Sequence, residues 1–394
     1  MKTVYVGMSG GVDSSLTAAL LKEQGYDVVG VYMKNWTEDL PGMRCPWADD
    51  LADAKRVAVQ LGIPFRVYDF QKEYKQKVVD YMIAEYQAGR TPNPDIMCNQ
   101  EIKFKLFFDT AMADGADMIA TGHYAQVKYA AQPTMPTSAS ESRLALTTDM
   151  SCLAAAGNAD ASEAEQAGRS ASECRDLVKQ PTYLCRAVDT DKDQTYFLYR
   201  ITAHALEKTL FPLGKYKKVQ VRELAQERGL VTAHKRDSQG ICFVGSVGIR
   251  DFLSRYVMSA PGDIVDQDTH KTIGRHDGAI YYTLGQRHGL NVGGGLPYYV
   301  VAKDMDKNVV YVSKNLNNQS MWRQELMLEN VHWIHGAPQS SDKLHARLRH
   351  RGTLLPARLK GHQLLLSEPE RAATSGQSAV IYRGDEVLGG GFVV

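Results

Sequence analysis

The sequence predicts an α/β protein with a parallel-sheet domain at its N-terminus, a small central helical module and a C-terminal β-barrel. Residues 1 to about 125 alternate apolar runs of strand length with stretches of helical periodicity, which indicates a parallel sheet flanked by helices. From about Gly274 the chain changes to short strands separated by turns, which is typical of a small barrel. We expect domains at residues 1–200, 201–272 and 273–394.

The composition is that of a globular protein. The chain has 394 residues, of which 44% are hydrophobic and 23% charged. No apolar run approaches the roughly 18–20 residues of a membrane span, and the first strand begins by residue 4, so we expect a cytoplasmic protein without a membrane partner. The net charge is +1, which requires any nucleic-acid surface to be local. No two of the six cysteines form a C-x-x-C pair, so we expect no structural metal site.

The N-terminal elements are predicted from their periodicity. Strands are expected at residues 4–6, 28–33, 64–70 and 118–120, and helices at 49–61, about 74–88 and 104–112. Ligands of open parallel sheets gather at the carboxyl ends of the strands. We therefore expect the turn after Val6, the residues near Met33 and residues 121–124 to share one crevice.

Two stretches depart from this pattern. Residues 131–180 contain many alanines and serines with little periodicity, which indicates a flexible insertion, and Cys152 and Cys174 within it are expected to be incidental thiols. The central module contains a predicted helix at 217–228 and many basic residues. These form either a solvated face or a surface for phosphate groups.

Residues 4–15 read as strand, glycine turn and helix. Gly10 and Gly11 would let bare backbone approach a ligand closely, and Asp13 and Ser14 lie at the predicted start of the helix. Unpaired N–H groups and the positive end of the helix dipole make this position an anion site, with phosphate as the expected ligand. The alternative is an ordinary turn capped by Asp13 or Ser14.

A second informative stretch is 89–99. Its two prolines hold the backbone extended, and Asp95 precedes Cys98 by three residues, so a helix beginning near Asp95 would place both on one face. A thiol near a helix start tends to ionise, and a neighbouring carboxylate can exchange protons with a substrate. Alternatively, Asp95 caps the helix and Cys98 is a buried apolar residue.

Further candidates lie in the second half of the chain. Gly240 permits a tight bend that could present Cys242 in a pocket, although burial of this thiol between apolar neighbours is equally consistent with the sequence. Arg347, Arg349 and Arg351 alternate at strand spacing, which would place all three on one face for contacts with an RNA backbone.

These stretches together resemble the bacterial tRNA-specific 2-thiouridylase family. Residues 7–14 look like the PP-loop of the ATP pyrophosphatases, which have an adenine nucleotide hydrolase-like domain. More selective likenesses are found at 89–99, 192–198, 237–243, 282–287 and 376–380. The resemblance covers nearly the whole chain and departs from the family at 131–180, which looks longer and richer in alanine.

The resemblance implies an ATP-dependent sulfurtransferase that adenylates C2 of a wobble uridine and delivers sulfur from a cysteine persulfide. Its implied cofactors are ATP and Mg²⁺, and its partners are the tRNA anticodon stem-loop and a persulfide donor protein. Implied catalytic residues are Asp95 in acid–base chemistry, Cys98 as nucleophile and Cys242 as persulfide carrier. Sulfur is transferred either by attack of the Cys242 persulfide on C2 or as sulfide that Cys98 releases from this persulfide. Both routes leave a Cys98–Cys242 disulfide.

The resemblance also assigns binding residues by position. Those implied to bind ATP are Gly7, Met8, Ser9, Gly10, Gly11, Val12, Asp13, Ser14, Met33 and Gly122. Those implied to bind tRNA are Asn93, Pro94, Asp95, Lys192, Asp193, Gln194, Arg349 and His350, the last of which stands where the family often has an aromatic residue. The alternatives are another PP-loop ATP pyrophosphatase and a non-catalytic nucleotide- or RNA-binding protein, which would need neither thiol.

Overall fold

A computed structural model describes residues 1–39, 45–129, 181–237, 248–293, 296–315 and 321–394. Cys242, Cys152, Cys174 and the whole predicted insertion at 131–180 lie outside these residues. The chain divides into two compact units, residues 1–127 with 184–394, and residues 128–183. Within the described ranges, no helix is both long and apolar enough to span a bilayer.

The N-terminal region alternates strands and helices as predicted. Its elements are β1 (Thr3–Gly7), α1 (Val12–Glu23), β2 (Asp27–Lys34), α2 (Trp47–Leu61), β3 (Phe65–Asp69), α3 (Gln71–Tyr74), a π-helical turn (Lys75–Val79), α4 (Asp80–Gln87), α5 (Pro94–Met97), a π-helix (Cys98–Phe107), α6 (Phe108–Ala113), β4 (Met118–Ala120), β5 (Ala125–Tyr129) and β6 (Thr182–Arg186). The predicted helix at 49–61 is confirmed as α2. It ends at Gly62, whose φ of 59° is the left-handed conformation that closes many helices.

A five-stranded parallel sheet organises this region, which confirms the predicted fold class. Its order is β3-β2-β1-β4 followed by β7 (Thr209–Leu210). Val4 pairs with Val28 on one side and with Met118 on the other, and all three side chains are buried because helices cover both faces of the sheet. A strand of two residues carries no periodicity, so the sequence did not predict β7.

Three helices follow the second unit of the chain, namely α7 (Ala203–Glu207), α8 (Lys218–Glu227) and α9 (Ile249–Leu253). The predicted central helix is confirmed as α8. Val221 and Ala225 of α8 belong to one buried cluster with Leu16 and Leu20 of α1. This packing fixes the helix that follows the glycine turn.

A four-stranded sheet comes next, and its strands begin at Gly262, earlier than the predicted change near Gly274. It contains β8 (Gly262–Asp266), β9 (Thr272–His276), β10 (Tyr299–Asp304) and β11 (Val309–Ser313) in the order β10-β11-β8-β9. Strands β10 and β11 pair antiparallel, with Asp304 opposite Val309.

The chain ends in a closed six-stranded β-barrel, as predicted. Its strands are β12 (Trp322–Trp333), β13 (Leu344–Arg347), β14 (Leu355–Lys360), β15 (Gln363–Arg371), β16 (Ser378–Arg383) and β17 (Glu386–Val393). They follow the order β12-β15-β14-β13-β16-β17, and β17 pairs back to β12. Closure leaves no open edge among these six strands, and leucine, alanine and valine side chains fill the interior.

The prediction that Arg347, Arg349 and Arg351 alternate along one strand is wrong. Strand β13 ends at Arg347, and Arg351 has a φ of 60°, a conformation incompatible with a strand. The Arg347 side chain is buried because it pairs with Asp193, whereas that of Arg349 is exposed and pairs with Glu370. The three guanidinium groups therefore do not form one face.

Asp193 connects the barrel to the preceding region. Its fully buried carboxylate accepts hydrogen bonds from Arg347 Nη1 at 2.8 Å, from Arg186 Nε at 3.3 Å and from Thr195 Oγ1 at 2.8 Å. The buried Tyr196 hydroxyl lies nearby in sequence and contacts two carbonyl oxygens of the barrel region, those of Leu348 and Ser378. These contacts attach residues 193–196 to the barrel.

Asp193→Ala is expected to lower the free energy of unfolding by about 3–5 kcal/mol, because it leaves the buried Arg347 cation without its carboxylate. Urea denaturation followed by circular dichroism measures this change. The control is Asp385→Ala, which removes an exposed partner of Arg186 at 3.5 Å and should cost under about 1 kcal/mol. Equal midpoints for the two variants would contradict the role given to Asp193.

Candidate active site

The glycine turn between β1 and α1 has the geometry of an anion site. Gly10 has a φ of 73°, and a Cβ there would lie 2.3 Å from the Asp50 carbonyl oxygen, so only glycine fits. Gly11 is the residue before α1 and has no side chain to cap the helix. The Ser14 hydroxyl bonds within the turn, accepting from Ser9 N at 3.1 Å and donating to Gly11 O at 3.1 Å. The turn is thus closed by its own contacts, and the first-turn N–H groups of α1 can receive an anion.

The carboxyl ends of three neighbouring strands meet at this turn, as predicted. A Cβ added at Gly7 would lie 3.0 Å from Met33 Cε, so the Met33 side chain covers the end of β1. A Cβ added at Gly122 would lie 2.9 Å from both Asp13 C and Ser14 N. The turn after β4 therefore packs directly on the start of α1.

Asp13 does not cap the helix, because Lys218 of α8 and a tyrosine hold its carboxylate. Lys218 Nζ donates to the two Asp13 oxygens at 2.7 and 2.8 Å, and the Tyr124 hydroxyl donates at 2.9 Å. Lys218 Nζ also lies 2.9 Å from Asp237 Oδ1. One ammonium group, on a residue only 9% exposed, is thus shared by two carboxylates.

Asp237 collects two further cations. Lys192 Nζ donates to it at 3.0 Å and Arg222 Nη2 at 2.7 Å. Although burial alone would raise the pKa of Asp237, hydrogen bonds from Lys218 and Lys192 hold this pKa below its usual value. Lys218 and Arg222 belong to the basic stretch of the sequence, but both side chains form ion pairs with carboxylates of this protein. Asp237 also immediately precedes residues 238–247, which include Cys242 and lie outside the described residues.

The helix that carries Asp95 and Cys98 begins as the sequence suggested. Asn93 is its N-cap, and the Asn93 side-chain oxygen accepts a hydrogen bond from Asp95 N at 3.1 Å, so Asp95 is not the capping residue. The partly buried Asp95 has a raised pKa because burial disfavours its charge, and the cation of Lys103 opposes this shift. Cys98 is 7% exposed.

His123 connects this helix to the glycine turn. Its Nε2 lies 3.3 Å from Lys103 Nζ, and its Nδ1 lies 2.8 Å from Thr121 Oγ1. Burial, followed by the nearby Lys103 cation, lowers the pKa of His123 well below its usual value, so the ring is neutral near pH 7. Gly122 contacts Asp13, and the next residue, His123, contacts Lys103. Gly122 and His123 thus form a path of contacts from the glycine turn to Lys103. The sequence predicts no individual role for Lys103, Lys218 or Asp237, although Lys218 belongs to the basic stretch and Asp237 begins the stretch at 237–243.

The residues predicted to bind tRNA fall into two groups beside this path. Lys192 and Gln194 lie on the glycine-turn side, since Lys192 pairs with Asp237 and Gln194 Oε1 accepts from Tyr124 N at 2.9 Å. The Asp193 side chain is fully buried and pairs with Arg347, so it holds the chain between Lys192 and Gln194 in place.

The second group lies beside the Cys98 helix. The half-buried His350 ring is 4.5 Å from the ring of Phe197, and the Phe197 carbonyl oxygen accepts from Asn99 Nδ2 at 3.1 Å. Arg349 is adjacent to His350 in sequence. The barrel also contacts the segment before this helix, since Gln377 Nε2 donates to Thr91 O at 2.7 Å.

The chain combines a parallel-sheet domain that carries a glycine turn with two further β-sheet regions. This combination is that of a multidomain protein with a HUP domain, because family models match all three parts. A family model described as tRNA methyl transferase HUP domain matches residues 2–151 and 167–246. A tRNA methyl transferase PRC-barrel domain matches residues 250–314, and an aminomethyltransferase beta-barrel domain matches residues 323–393.

Curated relatives identify the family more narrowly. The tRNA-specific 2-thiouridylase MnmA of Bacillus cytotoxicus is 42% identical and covers 98% of this chain and 93% of its own length. The protein of the same name from Bacillus subtilis strain 168 is 40% identical, covering 99% and 94%. The chain therefore belongs to the tRNA-specific 2-thiouridylase (MnmA) family.

Among solved structures, the U34-tRNA thiolase NcsA from Methanococcus maripaludis is 17% identical. The match covers 65% of this chain and 64% of NcsA, with a TM-score of 0.32. A likeness at this level carries no argument about the site.

Gly122→Ala tests whether the two packed turns bind nucleotide. Its Cβ would push on the backbone of Asp13 and Ser14, and overpacking of this kind costs about 1–3 kcal/mol, so we expect at least about tenfold weaker ATP binding by calorimetry. The control is Gly293→Ala, where a Cβ meets open space and affinity should stay unchanged. Equal ATP affinity for the two variants would show that the turn after β4 is not part of the nucleotide site.

Proposed function

We propose that the protein is a tRNA 2-thiouridylase that activates the C2 oxygen of the wobble uridine with ATP and replaces this oxygen with sulfur. The observation that carries the proposal is the packing of Gly122 on Asp13 and Ser14, beside His123 and Lys103. This contact supports a single site in which the glycine turn would bind an anion beside the Asp95 to Cys98 helix. Membership in the family supports the choice of tRNA as substrate, and a tRNA substrate makes the cytoplasm the expected compartment.

ATP is expected to place its phosphates on the turn at residues 7–14. The first-turn N–H groups of α1 would bind phosphate oxygens, with Met33 and Gly122 at the adenosine end. Within the described residues, no three metal-ligating side chains cluster, so Mg²⁺ would come with the nucleotide. The bound ion would withdraw charge from the phosphates.

Adenylation converts a poor leaving group into a good one. The uridine C2 oxygen attacks the α-phosphorus, the bond to the β-phosphate oxygen breaks, and pyrophosphate leaves with the electron pair. The base loses its N3 proton, and we assign Asp95 as the acceptor. The raised pKa of Asp95 suits this role, because a carboxylate of higher basicity takes a proton more readily near pH 7.

Sulfur transfer requires two thiols. A donor protein would supply sulfur as a persulfide on Cys242. In one route this persulfide attacks C2, AMP leaves, and Cys98 attacks the inner sulfur; in the other, Cys98 first releases the terminal sulfur as sulfide, which then attacks C2. Both routes end in a Cys98–Cys242 disulfide that an external thiol must reduce.

RNA would contact the two groups of residues beside this site. We expect Asn93, Pro94 and Asp95 to border the target base, which must leave the anticodon-loop stack to react. Lys192 and Gln194 would bind on the nucleotide side, and Arg349 with His350 on the barrel side. We expect Asp193 to act by holding Lys192 and Gln194 in position.

Cys98→Ser and Cys242→Ser test the two-thiol scheme. Each variant should form no detectable 2-thiouridine by mass spectrometry of tRNA nucleosides after incubation with ATP, Mg²⁺ and a persulfide donor, since a hydroxyl neither carries nor releases sulfur. Cys152→Ser, outside the proposed chemistry, should match the wild type. Full thiolation by either of the first two variants would rule out the scheme.

A further inference from the structure

Lys103 lies on the π-helix Cys98–Phe107, five residues after Cys98. In an α-helix of 3.6 residues per turn, residues five apart point to different sides. A π-helix closes its hydrogen bonds between residues five apart, so Cys98 and Lys103 come onto neighbouring turns of one face. The wider helix thus turns a lysine toward the side that carries the candidate nucleophile.

The ammonium group of Lys103 has no carboxylate partner among the described residues. Lys77 and Lys105, which lie close by, both pair with Glu101, at 3.0 and 3.3 Å. Lys103 instead contacts His123 Nε2, the acceptor nitrogen of a neutral ring. A partly buried cation whose hydrogen-bond partner is neutral gains additional stabilisation when an anion binds beside it.

Lys103 lies between the two halves of the site. On one side, its charge acts on Asp95. On the other, its contact His123 follows Gly122, which packs on the first residues of α1. Lys103 therefore connects the helical segment of Asp95 with the turn that packs on α1.

We propose that Lys103 is a catalytic residue whose ammonium group contacts the α-phosphate during adenylation of the uridine and during departure of AMP. The inference deepens the proposed function and rests on it. Neither the family membership nor the residues carried over from the resemblance assign this role.

The ammonium group acts as a hydrogen-bond donor and transfers no proton. As the C2 oxygen bonds to the α-phosphorus, charge grows on the phosphoryl oxygens, and Lys103 stabilises this charge. When sulfur attacks C2, the C2–oxygen bond breaks and AMP leaves with the electron pair, again beside the same cation. His123 orients the ammonium group by accepting one N–H at Nε2 while its own Nδ1–H donates to Thr121 Oγ1.

Lys103→Met should lower kcat for tRNA-dependent pyrophosphate release by at least about 100-fold, the usual effect of removing one donor from a developing oxyanion. KM for ATP and tRNA should change less than about threefold, because the charge that Lys103 stabilises grows in the transition state. The matched control is Lys105→Met, two residues along the same helix and paired with Glu101, which should keep wild-type kcat. A Lys103→Met kcat within about threefold of wild type would overturn the proposal.

A pH profile separates this role from a structural one. Asp95 is influenced by the Lys103 cation, and His123 is neutral, so loss of the cation raises the pKa of Asp95 and moves the acid limb of the kcat profile to higher pH. Lys103→Arg should restore the wild-type limb. An unmoved limb together with a lowered unfolding midpoint would assign Lys103 a structural role and contradict the proposal.

The pyrophosphate assay also keeps the two proposals apart. Wild-type protein that releases pyrophosphate with tRNA but forms no 2-thiouridine would overturn the proposed function. The Lys103→Met comparison would then still test the role of Lys103 in activating the RNA.

Discussion

The placement of Lys218 between Asp13 and Asp237 is the interaction on which the site depends. Two partly buried carboxylates so close together would repel each other and be poorly solvated. The ammonium group that they share reduces the repulsion and donates hydrogen bonds in place of water. Because Lys218 begins α8, the same contact fixes α8 against α1 and orients Asp13 at the glycine turn. It also fixes the point from which the chain runs toward Cys242.

The barrel and the segment that packs on it position the residues around Asp95 and Cys98. The barrel contacts Thr91 through Gln377, and Asn99 contacts the carbonyl group of Phe197. These contacts hold both ends of the segment that carries Asp95 and Cys98. The buried carboxylate of Asp193 then ties the barrel to the segment that contacts Tyr124 near the glycine turn. The barrel therefore helps to set the distance between the glycine turn and Cys98.

The sequence predicted the parallel sheet, the glycine turn and the barrel because each has a local signal: apolar runs, small residues between a strand and a helix, and alternating short strands. Contacts between distant residues have no such signal. Arg347 is separated from Asp193 by 154 positions, and Asp13 from Lys218 by 205. Lys103 was missed for a different reason, since α-helical periodicity turns it away from Cys98 and only the π-helix brings it back. The burial of Arg347 has no signal in the spacing of the arginines, because spacing alone does not reveal the buried carboxylate of Asp193.

In the proposed reaction the glycine turn serves to activate an RNA base by adenylation. Substrate tRNA with ¹⁸O at C2 of the wobble uridine tests this claim directly, with the isotope followed by mass spectrometry of the AMP produced. Adenylation at C2 predicts that the label leaves the base as a phosphate oxygen of AMP while 2-thiouridine forms. Unlabelled AMP accompanying full thiolation would contradict it, because the oxygen would then have left the base without bonding to phosphorus.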